Sequence, residues 1–163
     1  MALRDCTTVA GTDVLQWRRQ QLARGGTAAD LDWLLDLAGG LRWASLQRLL
    51  LDPTRTVDLE QSLEVLSGLW ERHLHGNVPL QHLVGLCPWR DVLLESSPAA
   101  LIPRQETELL VDLALSQFTT TPPARWADLG TGSGAIAVAL ARAWPTAPGH
   151  GVDLSPDALQ LAE

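Results

Sequence analysis

Residue types that support metal binding and disulfide formation are scarce in this sequence of 163 residues. Its two cysteines, Cys6 and Cys87, lie far apart and form no Cys-x-x-Cys pair, which argues against a disulfide framework or a zinc site. Such isolated cysteines are typical of free thiols in a reducing compartment. His73 and His75 do not alter this view, because residues two apart on a helix point in different directions. We therefore predict no metal site.

Long apolar runs and an excess of positive charge are also absent. The longest uncharged stretch, residues 129–141, is too short to span a bilayer. The first ten residues include Arg4 and Asp5 and have no apolar run, so they do not resemble a signal peptide. Twelve arginines and no lysine stand against 19 acidic residues, for a net charge of −7, which disfavours nonspecific nucleic-acid binding. We expect a cytoplasmic protein that binds neither membranes nor nucleic acid directly.

Residues 1–77 show helical periodicity only, which predicts a small helical bundle. One predicted helix is capped by Thr12 or Asp13 and ends near Arg24. A second begins at Thr27, with Asp30 in a variant of the capping box. A third covers about residues 42–51, and a fourth begins near Thr56 and ends near Gly76. Two stripes of apolar residues mark buried helix faces: Leu31, Leu34, Leu35 and Ala38 on the second helix, and Leu59, Leu63, Leu66 and Trp70 on the fourth.

From Pro79 onward the pattern changes. Residues 78–105 predict a linking hairpin or extended linker, and residues 106–118 predict a helix. A β-α-β pattern follows, so the predicted fold class is α/β, with a helical bundle before the start of an α/β domain. Its elements are a strand over 125–129, a glycine-rich turn over 130–134, a helix over Ala135–Ala143, a strand over 149–153, and a helix capped by Ser155 with Pro156 at its first position.

The glycine-rich turn carries the functional argument. It reads Gly-Thr-Gly-Ser-Gly over residues 130–134, and its spacing differs from the G-x-G-x-x-G of dinucleotide-binding enzymes. Glycines allow a ligand to approach the backbone closely, and the next helix offers free N–H groups at its start. Asp128 precedes the turn and can hold an amino group, so the combination favours S-adenosylmethionine over NAD. Alternatively, Asp128 simply neutralises the start of the helix.

Asp153 ends the second predicted strand. A carboxylate at that position can accept two hydrogen bonds from a ribose diol. NAD carries the same diol, so Asp153 alone does not distinguish the two cofactors. An NAD-dependent oxidoreductase therefore remains a lower-ranked alternative.

Four stretches of the sequence, in the same order, resemble the release-factor glutamine methyltransferases. They read PLQHLVG over 79–85, LIPRQETELLV over 101–111, DLGTGSG over 128–134 and VDLSPDAL over 152–159. The Ile-Pro-Arg-x-Glu-Thr-Glu string is the most specific of them. Two positions depart from the family: Gln105 stands where proline is usual, and His82 stands where tyrosine is common.

The resemblance implies a Rossmann-like class I methyltransferase. Such an enzyme transfers a methyl group from S-adenosylmethionine to the side-chain amide nitrogen of the glutamine in the Gly-Gly-Gln motif of peptide chain release factors. By the same resemblance, residues 1–77 form the domain that meets the release factor, 78–105 a linking hairpin, and 106–163 an incomplete cofactor-binding domain. The implied cofactor-binding residues are Gly130, Thr131, Gly132, Ser133, Gly134 and Asp153.

Arg104 lies within the most specific string. The resemblance implies a substrate-binding residue near the mouth of the active site. The alternative is an ion pair with Glu106 or Glu108 at the start of the following helix.

The catalytic motif of the family, Asn-Pro-Pro-Tyr on a later strand, has no counterpart in this sequence. There is no tyrosine, and Asn77, the one asparagine, precedes Val78. We therefore assign no catalytic residue and expect an N-terminal fragment that alone neither folds fully nor methylates. Two alternatives remain open: a glutamine methyltransferase for a ribosomal protein or another methyltransferase with this motif, and a non-catalytic partner-binding module with a vestigial methyltransferase domain.

Overall fold

A computed structural model describes residues 6–163, which divide into two compact units. The first unit ends at Val84 and the second spans Gly85 to Glu163. Residues 1–5, part of the segment predicted not to be a signal peptide, lie outside the described residues. Seven elements build the first unit: β1 (Thr7–Ala10), α1 (Gly11–Arg24), α2 (Ala28–Leu37), α3 (Trp43–Leu51), β2 (Thr56–Leu59), α4 (Leu63–Gly76) and α5 (Leu80–Val84).

The first unit contains a two-stranded sheet, so the prediction of helices alone was wrong. β1 and β2 pair antiparallel, with Ala10 opposite Thr56. The predicted fourth helix does not begin at Thr56, since the β-branched Thr56 and Val57 extend along β1. Helix α4 begins at Leu63 instead, where the hydroxyl of Ser62 accepts the N–H of Val65 at 3.2 Å. Leu59 is fully buried as predicted, but it reaches the core from a strand.

The core of the first unit is formed mainly by the apolar faces of its helices, together with Leu59 from β2. The predicted stripe on α2 is confirmed for Leu31, Leu34 and Leu35, which are fully buried. Burial of each such side chain contributes about 1.5–3 kcal/mol to the stability of the folded state. The capping prediction for α2 is also confirmed, because the Thr27 hydroxyl accepts the N–H of Asp30 at 3.1 Å. Local periodicity and capping therefore defined this helix correctly.

Helix α1 begins at Gly11, directly after β1 and before the predicted caps. The N–H of Gly11 donates to the carbonyl of Arg55 at 2.7 Å, and a Cβ at this position would collide with Leu49.

Helix α5 contains His82, whose Nε2 is buried and has no hydrogen-bond partner among the described residues. Helix α5 itself, over residues 80–84, lies within a segment that was predicted to be hairpin or linker.

The second unit contains the hairpin and the β-α-β segment. Its elements are β3 (Leu86–Trp89), β4 (Val92–Glu95), a 3₁₀ turn (Gln105–Thr107), α6 (Glu108–Gln117), β5 (Trp126–Leu129), α7 (Ala135–Ala143), β6 (Gly149–Val152) and α8 (Pro156–Ala162). β3 and β4 pair antiparallel, so the hairpin occupies only residues 86–95 of the segment 78–105. Residues 96–104 form neither a helix nor a strand.

The β-α-β segment forms as predicted, apart from one residue at the ends of its strands. β5 and β6 are parallel, with Trp126 opposite Gly149 and Leu129 opposite Val152, and α7 is the connection between them. Gly149 packs against the Trp126 ring where a Cβ would collide with it. Ser155 caps α8 through the N–H of Ala158 at 3.2 Å. The mixture of helices and strands is consistent with the predicted α/β class.

Within residues 6–163, no helix combines the length and the apolar character needed to cross a membrane.

Candidate functional site

A cavity of about 360 Å³ lies in the second unit beside the glycine-rich turn. This volume falls within the range of roughly 300–1,000 Å³ that is usual for small-molecule sites. The turn and the ends of β5 and β6 form one wall, and the segment after the hairpin forms another. The lining residues are Ala99, Ala100, Leu101, Pro103, Thr107, Asp128, Gly130, Thr131, Gly132, Ser133, Ala135, Ile136, Asp153, Ser155 and Ala158.

The backbone of the turn borders open space. Gly130 and Gly132 have φ angles of 80° and 54°, in the left-handed region that favours glycine. A Cβ at Gly130 would meet no atom within 4 Å, and one at Gly132 would meet only the Ala100 side chain, at 3.9 Å. A ligand can therefore lie directly against the peptide groups of the turn.

Gly134 has a different position from the other two glycines. It precedes α7 and does not line the cavity. A Cβ at Gly134 would lie 3.1 Å from the Cβ of Ala162, near the end of α8. Of the six predicted cofactor-binding residues, five thus line the cavity, and Gly134 instead allows α8 to pack against the turn.

Two backbone hydrogen bonds anchor the turn to the end of β6. The N–H groups of Gly130 and Thr131 both donate to the carbonyl of Val152, at 2.7 and 2.9 Å. These two N–H groups are consequently engaged within the protein. The first turn of α7 leaves further N–H groups without intrahelical acceptors, and its residues Ala135 and Ile136 line the cavity. An anionic ligand group would find its donors there.

Asp153 lies at the junction between β6 and α8 and lines the cavity. Its carboxylate accepts the N–H of Ser155 at 3.0 Å and that of Gly132 at 2.9 Å. These two hydrogen bonds, with that of Ser155 contributing most, lower the pKa of Asp153 below its usual value of 3.8. The group is therefore ionised at neutral pH. Since a carboxylate has about four acceptor sites, Asp153 keeps capacity for a ligand diol.

Asp128, at the other strand end, also lines the cavity. Its Oδ2 accepts the hydroxyl hydrogen of Thr131 at 2.8 Å. Within residues 6–163, Asp128 Oδ1 has no hydrogen-bond partner. The site therefore combines two carboxylates with the free N–H groups at the start of a helix, an arrangement suited to a ligand that carries both signs of charge.

Arg104 lies outside the cavity lining, although Pro103 and Thr107 on either side of it belong to the lining. Its side chain is exposed and, in the described part of the chain, forms no ion pair. The alternative of an ion pair with Glu106 or Glu108 is therefore not realised. The guanidinium remains available to a partner molecule.

One wall of the cavity was not anticipated from the sequence. Ala99, Ala100 and Leu101 line it, but these residues carry no chemical group that marks a site. The alanines had been interpreted only as part of a hairpin or linker. Ser155 also lines the cavity, although its sequence signal indicated only a helix cap.

Comparison with protein-family models finds no match for the chain. Comparison with curated proteins finds close relatives, each named release factor glutamine methyltransferase. The relative from Prochlorococcus marinus is 56% identical over 153 residues, which is 93% of this chain and 52% of that protein. That from Gloeobacter violaceus is 44% identical over 150 residues, covering 90% and 51%. That from Escherichia coli is 42% identical over 104 residues, covering 64% and 37%. The chain spans about half the length of the first two relatives.

Proposed function

Because the chain belongs to the family of the release factor glutamine methyltransferases, we propose that it comprises the partner-recognition and cofactor-binding parts of such an enzyme. The proposed reaction transfers a methyl group from S-adenosylmethionine to the side-chain amide nitrogen of the glutamine in a Gly-Gly-Gln motif. The proposed substrates are peptide chain release factors, which places the enzyme in the cytoplasm. In this proposal the second unit is the start of a Rossmann-like class I methyltransferase domain.

The observation that carries the proposal is the cavity beside the glycine-rich turn. S-adenosylmethionine has an ammonium group, a carboxylate and a ribose diol, and the cavity presents a complement to each. We assign the ammonium group to Asp128, the carboxylate to the N–H groups at the start of α7, and the diol to Asp153. When bound, S-adenosylmethionine supplies an electrophilic methyl group on a sulfonium centre.

The residues of this chain bind and orient in this proposal, and none acts on the glutamine. An amide nitrogen is a poor nucleophile because its lone pair is delocalised into the carbonyl. Acceptors aimed at its N–H bonds, and alignment with the methyl carbon, are needed to lower the barrier. We assign these acceptors to the half of the family's length that these 163 residues do not span.

Recognition of the release factor is assigned to the helix-rich first unit and to Arg104. The support for Arg104 is its exposed guanidinium, which makes no ion pair within residues 6–163. Guanidinium groups form paired hydrogen bonds with the carboxylates of a partner. This assignment predicts that Arg104→Ala raises KM for the release factor and leaves cofactor affinity unchanged.

The test is a methylation assay with the protein expressed from the complete reading frame that contains this chain. Purified release factor and methyl-labelled S-adenosylmethionine are the substrates, and peptide mass spectrometry locates the label. One methyl group is expected on the glutamine of Gly-Gly-Gln, and a release factor with Gly-Gly-Ala should take up none.

Three other results would overturn the proposal in different directions. Labelling of a ribosomal protein instead of a release factor would support the ribosomal alternative. Cofactor binding without methylation of either substrate would support the partner-binding module. Binding of NAD but not of S-adenosylhomocysteine would support an oxidoreductase.

A further inference from the structure

Strand β6 contains a glycine whose role the cavity alone does not explain. Gly151 has no left-handed backbone conformation, so its dihedral angles would allow an alanine. The restriction is one of space. A Cβ at Gly151 would lie 2.9 Å from Thr131 Oγ1 and 3.2 Å from Thr131 Cβ and Cγ2. The absence of a side chain at position 151 thus makes room for the side chain of Thr131.

Thr131 is held from three directions. Its N–H donates to the Val152 carbonyl at 2.9 Å, which attaches its backbone to the end of β6. Gly151 borders its side chain, and the Oγ1 hydrogen bond to Asp128 Oδ2 is 2.8 Å long. With 8% of its surface exposed, Thr131 has little freedom to turn its hydroxyl elsewhere.

The consequence falls on Asp128. The terminal torsion of an aspartate is broad, so a carboxylate without a fixed partner rotates over a wide range. The Thr131 hydroxyl restrains this rotation through Oδ2 and leaves Oδ1 without a partner among residues 6–163. Pre-organised groups bind more tightly because less freedom is lost on binding.

We propose that Thr131 is a positioning residue, held by Gly151, which orients the Asp128 carboxylate toward the ammonium group of the methionine moiety. This inference rests on the proposed function. It adds that Thr131 acts through Asp128 and that Gly151 acts through Thr131. Both residues therefore determine affinity for the amino-acid end of the cofactor and not for its nucleoside.

Two ligands distinguish binding of the amino-acid end of the cofactor from binding of its nucleoside end. S-adenosylhomocysteine carries the amino-acid group, and 5′-methylthioadenosine lacks it. Isothermal titration of the full-length protein should show that Thr131→Val weakens S-adenosylhomocysteine roughly tenfold, since a hydrogen bond to a charged group is lost. Binding of methylthioadenosine should change by less than about twofold, because the nucleoside contacts remain. Thr131→Ser keeps the hydroxyl and should restore binding of S-adenosylhomocysteine.

Gly151→Ala tests the same contact from strand β6. The added methyl group should rotate Thr131 away from Asp128 and reproduce the selective loss seen with Thr131→Val. His150→Ala is the matched control, because His150 is the exposed neighbour on the same strand. In a Thr131→Ala background, the hydroxyl is already absent, so Gly151→Ala should have little further effect.

The outcomes distinguish the inference from the function on which it rests. If the wild-type protein binds neither ligand, the proposed function fails and the inference fails with it. If the wild type binds both and Thr131→Val loses both equally, or loses neither, the inference alone is overturned. Should Thr131→Val not fold, Gly151→Ala carries the same comparison, and a melting curve for each variant identifies a folding defect.

Discussion

The indole N–H of Trp89 donates to the backbone carbonyl of Arg104 at 3.0 Å. Trp89 is nearly completely buried in the hairpin, whereas Arg104 precedes the 3₁₀ turn and has an exposed side chain. The hydrogen bond therefore fixes the backbone from which the free guanidinium extends. The same carbonyl accepts the N–H of Thr107 at 3.1 Å, and both Thr107 and Pro103 line the cavity.

Trp89→Phe should lower the free energy of unfolding by about 1 kcal/mol, because it removes the N–H donor and keeps an aromatic ring in the core. Urea titration measures this change. Trp43→Phe is the matched control, since Trp43 is 62% exposed and should change stability by less than about 0.5 kcal/mol. Equal losses in both variants would contradict a role for the hydrogen bond.

The lowered pKa of Asp153 predicts a specific dependence of stability on pH. Hydrogen bonds from Ser155 and Gly132 lower its pKa in the folded state below the usual 3.8. The carboxylate therefore contributes stability above its unfolded-state pKa, and this contribution is lost as pH falls through the lower folded-state pKa. The melting temperature of the wild type should exceed that of Asp153→Asn above about pH 5, and the difference should shrink as the pH falls below 4.

The control for this experiment is Glu106→Gln. Glu106 is exposed and makes no ion pair in the described part of the chain. Its melting curve should therefore follow that of the wild type over the same pH range. A difference between wild type and Asp153→Asn that stayed constant down to pH 2 would show that ionisation of Asp153 does not stabilise the fold.

Two ion pairs in the first unit differ in geometry and should differ in energy. Arg18 on α1 bonds Asp32 on α2 through both Nε and Nη2, at 2.6 and 2.9 Å, and the two side chains are 17% and 16% exposed. Hydrogen bonding to Asp32 raises the pKa of the Arg18 guanidinium. A double-mutant cycle with Arg18→Met and Asp32→Asn should give a coupling energy of about 1 kcal/mol.

The pair of Arg24 and Glu71 provides the comparison for that cycle. Its single contact is 3.4 Å long, and the side chains are 44% and 57% exposed. Solvent and salt screen such a pair, so its coupling energy should be less than about 0.3 kcal/mol. Similar coupling energies for the two pairs would mean that two-point geometry and burial add nothing here.

Substitution by alanine at two glycines of the first unit should change the free energy of unfolding in opposite directions. A Cβ at Gly11 would collide with Leu49 and lie 2.6 Å from the Arg55 carbonyl oxygen, so Gly11→Ala should destabilise by about 1–3 kcal/mol. Gly68 lies inside α4, where a Cβ would meet nothing within 4 Å, so Gly68→Ala should stabilise by about 0.5–1 kcal/mol. Chemical denaturation measures both, and equal signs would refute the argument from space.

The sequence predicted the β-α-β segment well because its signals are local. The glycine-rich turn separates β5 from α7. Ser155 is the N-cap of α8 and Pro156 is its first residue, as predicted. One polar wall of the cavity follows from these same signals, because the ends of adjacent parallel strands lie side by side. The positions of Asp128 and Asp153 at the cavity are therefore readable from the sequence.

Pairings over long distances along the chain were not predictable in this way. Strand β2 was assigned to a helix because Leu59 and Leu63 are four residues apart, and nothing local indicates that β1 is its partner. The alanines at positions 99 and 100 likewise gain their place in the cavity only through tertiary packing. Neither feature leaves a periodic or chemical signal in the surrounding residues.

The pairing of β1 with β2 sets an order of events during synthesis. β1 leaves the ribosome first, but its partner emerges only after α1, α2 and α3 have been made. Closing a loop of that length costs chain entropy before the strands gain contacts, so local helices form earlier. Leu59, the fully buried residue at the end of β2, enters the core at that step. The nascent first unit therefore keeps an unpaired strand until β2 arrives, and its core stays open until α4 follows with Leu66 and Trp70. Apolar surface that is exposed during this interval favours aggregation.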